Sequence, residues 1–255
     1  QVSWLAFPGS MGVPFIDYLV VDETVVPVDE ARDYAEALAY LPDSYQPQDI
    51  LHHGDPGLTR THEGLPEGAF VFCCFNNTYK FTPEHFDCWC RLLRAVPHAI
   101  LWLFAPEERV RANLIREAAR RDIQADRLVF AGRAPHERHL ARIALADLFL
   151  DTSPYNAHTT ASDALWAGVP VLTYPGQTFA SRVAASLLTA AGLPELIAKN
   201  LGDYEKLALR LALDAPLLDD YRQRLRAARA GAALFDTPRY VLNLEALYRR
   251  MWHRY

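Results

Sequence analysis

From Ala69 onward the chain alternates short apolar runs with stretches of helical periodicity, and few folds accommodate that rhythm. The runs Phe70–Phe75, Ala99–Phe104, Arg127–Ala131, Asp147–Asp151 and Pro170–Tyr174 are each bounded by turn residues. Helical patterns follow them at Pro83–Ala95, Glu107–Arg121, His136–Leu145, Thr159–Ala167 and Ala180–Ala191. A strand that is apolar on both faces has to be covered on both faces, and the intervening helices supply the cover. Right-handed crossovers then lead to a doubly wound, Rossmann-like parallel sheet, so the expected fold class is α/β.

The flanks read differently. Phe15–Val21 and Val25–Val28 are short β-rich runs, and Asp29–Leu41 has a helical pattern behind an acidic start. Asp43–Pro66 is rich in proline and glycine with little periodicity, which marks it as the linker. Everything from Leu201 reads as helix, with Leu244, Leu247, Tyr248, Met251 and Tyr255 forming an apolar stripe near the end. The chain opens on Gln1 and runs straight into an apolar phrase, which suggests the C-terminal piece of a longer polypeptide.

Composition removes several classes of function. Of 255 residues, 51% are hydrophobic and 22% charged, an ordinary globular balance, and the net charge is −5. Such a charge leaves no basic footprint for nucleic acid or an anionic membrane, and no apolar stretch reaches the roughly 18 residues of a membrane span. The cysteines Cys73, Cys74, Cys88 and Cys90 are spaced for neither zinc nor a disulfide framework, so they read as buried free thiols of a reducing, cytoplasmic compartment. There is no G-x-G-x-x-G after any strand, no G-x-x-x-x-G-K-[ST] and no G-x-S-x-G, which weakens dinucleotide, NTPase and α/β-hydrolase readings.

In an open parallel sheet, ligands bind where strand ends lead into helix N-termini. Polar residues gather at those positions: Asn76–Lys80 after the first run, Arg133–His139 after the third, and Thr152–Thr160 with Asp163 after the fourth. Thr159 and Thr160 open a helix whose unpaired amides and positive dipole end suit phosphate, although either threonine alone would also serve as a plain N-cap. Asp163, placed in the first turn, could accept both hydroxyls of a ribose or simply complement the helix dipole. Lys80 is one of three lysines against 23 arginines, and a compact ammonium there suits a diphosphate; a solvated lysine is the alternative. His139 could stack on a base. Together these residues read as a site for a nucleoside diphosphate, with the reaction left open.

The phrases Cys74-Phe75-Asn76-Asn77-Thr78-Tyr79-Lys80, Leu101-Trp102-Leu103, Leu150-Asp151-Thr152, His158-Thr159-Thr160 with Asp163–Gly168, Ala180–Ser186, Leu196–Asn200 and Leu247–Trp252 resemble the catalytic region of the O-linked N-acetylglucosamine (O-GlcNAc) transferase family, glycosyltransferase family 41, in its bacterial-type form. The resemblance implies a two-lobed GT-B glycosyltransferase: residues 1–57 as the end of the N-terminal lobe and linker, 58–238 as the nucleotide-sugar-binding C-terminal lobe, and 239–255 as a helix crossing back. It implies Lys80 as the catalytic group that steadies the departing UDP, with Asn77, in place of a frequent glutamine, reaching the same phosphates. Ala134 and His136 would hold the uracil edge, His139 would stack on the base and Arg142 would back that pocket. His158, Thr159 and Thr160 would wrap the phosphates, Asp163 would hold the ribose, and Leu5, Ala6 and Pro8 would line the sugar pocket. The implied reaction is inverting, metal-free transfer of GlcNAc from UDP-GlcNAc to Ser or Thr hydroxyls of a protein acceptor, with no cofactor. The rest of the N-terminal lobe and the family's tetratricopeptide repeats would lie upstream in the same polypeptide. Related lineages use GDP-fucose or UDP-glucose, and a non-catalytic nucleotide-binding scaffold is the reading from another class.

Overall fold

The computed structural model describes residues 1–48, 51 and 57–254, so His52 and His53 in the expected linker lie outside the described residues. Two parallel sheets form. The smaller one contains β1 (Val2–Ser3), β2 (Tyr18–Val21) and β3 (Ala37–Tyr40), in that spatial order. The larger one contains β4 (Phe70–Cys74), β5 (Ala99–Phe104), β6 (Leu128–Ala131), β7 (Leu148–Leu150) and β8 (Val171–Leu172), in the order β6-β5-β4-β7-β8. The chain starts this sheet at its centre, steps outward to β6 and then returns to the other side at β7. Successive connections therefore diverge between β4 and β7, and the loops leaving those two strands open a crevice at the carboxyl end of the sheet.

The helices occupy their expected places: α1 (Pro83–Ala95), α2 (Glu108–Ala119), α3 (His136–Ile143), α4 (Thr159–Ala167), α5 (Val183–Ala190), α6 (Leu201–Leu213), α7 (Ala215–Ala228) and α8 (Thr237–Arg254). Local chemistry sets their ends. Thr82 caps α1 ahead of Pro83, Asn200 caps α6 and Asp214 caps α7. Gly168 closes α4 at φ +87°, a left-handed conformation that favours glycine. The strands are as dry as their composition requires: Val71, Phe72, Cys73, Leu101, Trp102, Leu148 and Phe149 are all buried.

Four sequence expectations change. The helix expected over Asp29–Leu41 is a 3₁₀ turn at Val28–Asp33 followed by β3, because Ala37–Tyr40 pairs in register with Tyr18–Val21. Pairing to a neighbour outweighs the strong intrinsic helical preference of Ala37 and Ala39. Val25–Val28 is no strand; its apolar character serves packing, with Val25 and Val26 fully buried in a turn. Ala180–Ala191 is divided into a 3₁₀ turn at Phe179–Ser181 and then α5. The first part of the presumed linker is buried instead of free, with Ser44, Tyr45, Gln46 and Gln48 packed inside.

The two sheets are tied together. Leu247 and Met251 of α8 form a small core with Val20, Ala39 and Leu41, so the last helix packs on the first sheet. Tyr248 of the expected stripe is exposed, and Tyr255 lies outside the described residues. Buried Asp22 accepts the amides of Thr24 and Val25 at 2.9 Å, the amide of Tyr45 at 2.8 Å and the Ser186 hydroxyl of α5 at 2.6 Å. Arg182 grips Glu30 with two bonds of 2.6 and 2.8 Å. At the opposite, amino-terminal edge of the larger sheet, Asp147 is held by Arg60 at 2.9 Å and by Arg222 at 2.6 Å. Arg60 also caps the last turn of α3 through the Leu145 carbonyl at 3.1 Å, so these arginines are spent on the fold.

Candidate active site

A cleft of about 310 Å³ lies over the crevice between β4 and β7. Its lining includes Leu5, Ala6 and Pro8 from the segment after β1, Tyr45–Gln48 from the segment after β3, and His136, Tyr155, His158, Thr159 and Asp163 from the larger sheet's loops. Residues more than 150 positions apart thus face one another across a single concavity, the usual form of a small-molecule site.

The strand ends fix each side chain. After β4 the chain makes one 3₁₀ turn at Thr78–Lys80, which brings Lys80 toward the loop after β7. Its Nζ donates to the Asn156 carbonyl at 3.0 Å and sits 4.1 Å from the centre of the Tyr155 ring. Burial lowers the Lys80 pKa, a direction opposed by the nearby Asp151 charge. The ammonium is therefore held by one carbonyl and an aromatic face, with donor capacity to spare.

His158 is the N-cap of α4, and its ring stacks on Tyr155 with centroids 4.9 Å apart. Its Nε2 lies 3.2 Å from the Ala180 carbonyl, and burial pushes its pKa down to about 4. No side chain caps the first turn of α4. Thr159 is exposed on the cleft, whereas Thr160 turns inward and donates to Oδ1 of Asn76 at 3.1 Å. Asp163 is the fifth residue of α4 and so lies beyond the first turn where sequence reasoning put it. Its buried carboxylate is met by two histidines of α3: Nε2 of His136 at 3.4 Å and Nε2 of His139 at 3.9 Å.

His139 and Arg142 sit one layer back from the cleft. His139 packs 5.7 Å from the Phe75 ring, and Arg142 reaches its Nδ1 at 3.1 Å. Burial first, then the Arg142 charge, depress the His139 pKa to about 4, so the ring is neutral at ordinary pH. Arg142 is itself buried, bonded to the Gly132 carbonyl at 2.7 Å and stacked 4.9 Å over Phe75, and its Nε has no partner among the described residues. Ala134 is half-buried just ahead of α3. Asn77 is exposed, with its amide near the Tyr79 hydroxyl at 3.4 Å; of the expected site residues, Asn77, Lys80, Ala134, His139, Arg142 and Thr160 lie outside the lining of the cleft.

Sequence reasoning missed three groups. Tyr155 supports both Lys80 and His158, and only its place in a polar loop hinted at this. Gln46 and Gln48 line the cleft from a stretch that turn composition marked as linker; Gln48 accepts from Ser162 of α4. Buried Asn76 and Asp151 link the two loops through a 3.3 Å bond, and nothing in the residue types alone separates them from surface polar groups. Among the described residues, no three His, Cys, Asp or Glu side chains cluster so as to hold a metal ion, and no helix is long and apolar enough to cross a membrane.

Comparison with known proteins yields a consistent set. The family described as "Glycosyl transferase family 41" matches residues 1–54 and 56–244. A probable UDP-N-acetylglucosamine–peptide N-acetylglucosaminyltransferase, SEC of Arabidopsis thaliana, is 43% identical over 99% of this chain and 27% of its own length. The UDP-N-acetylglucosamine–peptide N-acetylglucosaminyltransferase of Caenorhabditis elegans is 41% identical over 77% of this chain and 17% of its own length. A mutant O-GlcNAc transferase from Thermobaculum terrenum superposes with a TM-score of 0.87 at 35% identity, covering 99% of this chain and 48% of that one. The chain thus spans about a quarter or less of the two curated relatives and about half of the solved one.

Proposed function

The chain belongs to glycosyl transferase family 41 and has the parallel-sheet α/β architecture of GT-B glycosyltransferases; from this we propose that it supplies the UDP-binding part of a protein O-GlcNAc transferase. The donor is UDP-GlcNAc, and the acceptor is a Ser or Thr hydroxyl of a protein. The observation that carries this reading is the cleft itself, where Leu5, Ala6 and Pro8 face His136, His158, Thr159 and Asp163 above the divergence of β4 and β7.

In this reading the diphosphate lies against the start of α4, which has no side-chain cap from His158 and whose positive dipole end favours negative charge. Lys80 reaches the same charge, with Asn77 at the outer edge, and steadies UDP as it leaves. Transfer is inverting and needs no metal, because the developing charge on the leaving group meets an ammonium and fixed amide dipoles. Asp163, His136, His139, Arg142 and Ala134 serve the nucleoside end; neutral His139 offers a flat face to stack on the uracil. Leu5, Ala6 and Pro8 close over the sugar. Residues 1–57 then complete an N-terminal lobe, 58–238 form the donor lobe and 239–255 cross back. Tetratricopeptide repeats upstream in the same polypeptide bind the acceptor. Four free, buried cysteines fit a reducing compartment such as the cytoplasm.

Calorimetric titration of the full polypeptide with UDP and with GDP, without added metal, tests this. Binding of UDP and not GDP, lost in Asp163→Ala, together with transfer from UDP-GlcNAc that Lys80→Ala lowers about 10²–10³-fold, is the expected result. Preference for GDP, or transfer unchanged by Lys80→Ala, overturns it.

A further inference from the structure

Asp151 directly follows β7, at the centre of the larger sheet, and its side chain is buried beneath the cleft. Every neighbour that touches its carboxylate donates. The amide of Ala157 reaches Oδ1 at 2.6 Å, the amide group of Asn76 reaches the same oxygen at 3.3 Å, and the Thr173 hydroxyl reaches Oδ2 at 2.6 Å. These donors come from the loop after β4, the loop before α4 and the end of β8. One buried side chain thus sets the mutual position of three segments that the sheet alone leaves adjustable.

Two of these contacts lead on to the site, Ala157 by adjoining His158 and Asn76 through further hydrogen bonds. Asn76 donates to the Thr152 hydroxyl at 2.7 Å and accepts from Thr160 at 3.1 Å, which fixes the first turn of α4. Thr152 holds the Tyr155 carbonyl at 2.7 Å and, through its own carbonyl, the side chain of Asn156 at 2.7 Å. The Asn156 carbonyl is the acceptor of Lys80, and the Tyr155 ring is the face beside it. Asp151 touches none of the groups that would meet a donor sugar, yet the seats of Lys80 and Thr160 depend on it. Its negative charge also favours the ammonium form of the half-buried Lys80 through a poorly screening interior.

We propose that Asp151 is the positioning residue of this site, acting through Lys80; this rests on the transferase reading above. Oδ1 faces two N–H donors and has to remain an acceptor, whereas Oδ2 faces a hydroxyl that can donate or accept; burial raises the Asp151 pKa to about 6, which leaves the carboxylate ionised at neutral pH. A carboxamide keeps its oxygen on the Ala157 amide and turns its NH2 toward the Thr173 hydroxyl, so Asp151→Asn preserves the frame of the loop and removes the negative charge beside Lys80.

The experiment is a double-mutant cycle in the full polypeptide, with Asp151→Asn, Lys80→Ala and the double variant followed by kcat, KM, UDP Kd and thermal unfolding. Asp151→Asn is expected to lower kcat at least tenfold, and to add less than threefold in the Lys80→Ala background, in both kcat and UDP affinity. Multiplying effects, or a lowered Tm with kcat unchanged, overturn the proposal. Should Asp151→Asn not fold, Thr173→Val removes one donor from Oδ2, and a kcat loss of threefold or more that vanishes in Lys80→Ala is expected; its absence overturns the proposal. An unmodified protein that neither binds UDP nor transfers sinks the transferase reading itself. An active protein with an additive cycle sinks only the role of Asp151.

Discussion

The ammonium of Lys80 donates to the backbone carbonyl of Asn156 at 3.0 Å, joining the turn after β4 to the loop after β7, 76 positions later. The slot is narrow, with the carbonyl on one side and the Tyr155 ring 4.1 Å away on another. It suits a point-like cation better than a broad planar one.

Lys80→Arg therefore fails to rescue. A guanidinium keeps the charge but cannot occupy the same slot without moving Tyr155. Transfer is expected to fall about 10²–10³-fold, in the range seen when one charge-stabilising donor is lost. Steady-state kinetics of the full polypeptide with UDP-GlcNAc check this, and activity within a fewfold of the unmodified protein contradicts it.

Ser186→Ala loosens the tie between the two sheets. It removes the 2.6 Å bond to Asp22 and leaves a buried carboxylate short of a donor, at a cost of about 1.5–3 kcal/mol. Burial already raises the Asp22 pKa, and losing a donor raises it further. The penalty is accordingly largest where Asp22 is ionised and shrinks in acid as the group becomes protonated. Urea denaturation at neutral and at acid pH, for both proteins, measures the difference.

Three buried histidines set the acid limit of stability. Burial pushes His85, His139 and His158 from 6.5 down to about 4. Each binds its proton more readily unfolded than folded, so the stability it contributes is complete above about pH 6.5 and is lost as pH falls toward 4. The denaturation midpoint is expected to drop steadily across that window. His85→Gln, at a ring that accepts the Ser153 amide at 3.1 Å, is expected to make the drop shallower, and an unchanged slope counts against the assignment.

The two buried tryptophans beside the sheet differ in one atom. Trp89 donates from Nε1 to Tyr204 at 3.3 Å, whereas Nε1 of Trp102 is buried with no partner among the described residues. Trp102→Phe gives up volume but also relieves an orphaned donor, so it costs less than Trp89→Phe, by about 1 kcal/mol. Parallel chemical denaturation of the two variants decides it; equal losses contradict the argument.

The larger sheet was legible because its signal is local. Unbroken apolar runs such as Ala99–Phe104 have no other way to bury themselves, and Pro83 and Gly168 mark helix ends by backbone chemistry alone. The smaller sheet was harder to read. Asp29–Leu41 has helical composition and becomes a strand only because β2 lies alongside, a fact held elsewhere in the chain. The polar edge of the site was also visible, since strand-to-helix loops can be read in order. What sequence could not convey was depth. Thr160 and Thr159 are the same residue type side by side, yet one turns inward to Asn76 while the other faces the cleft. Gln48 and Asp151 reveal their roles only once distant segments meet.

The indole of Trp4 donates to the Tyr240 hydroxyl at 2.8 Å, and that hydroxyl donates in turn to the Tyr45 carbonyl at 2.8 Å. The larger sheet can form as its strands emerge from the ribosome, since each finds a partner already made. The smaller one cannot be finished that way, because its covering helix, α8, follows every strand of the larger sheet in the chain. At about 5–20 residues per second, the 236 positions between Trp4 and Tyr240 take roughly 10–50 s to appear. Throughout that interval Val20, Ala39 and Leu41 lack the cover that Leu247 and Met251 give them, so the smaller sheet stays open on that face while the larger one assembles.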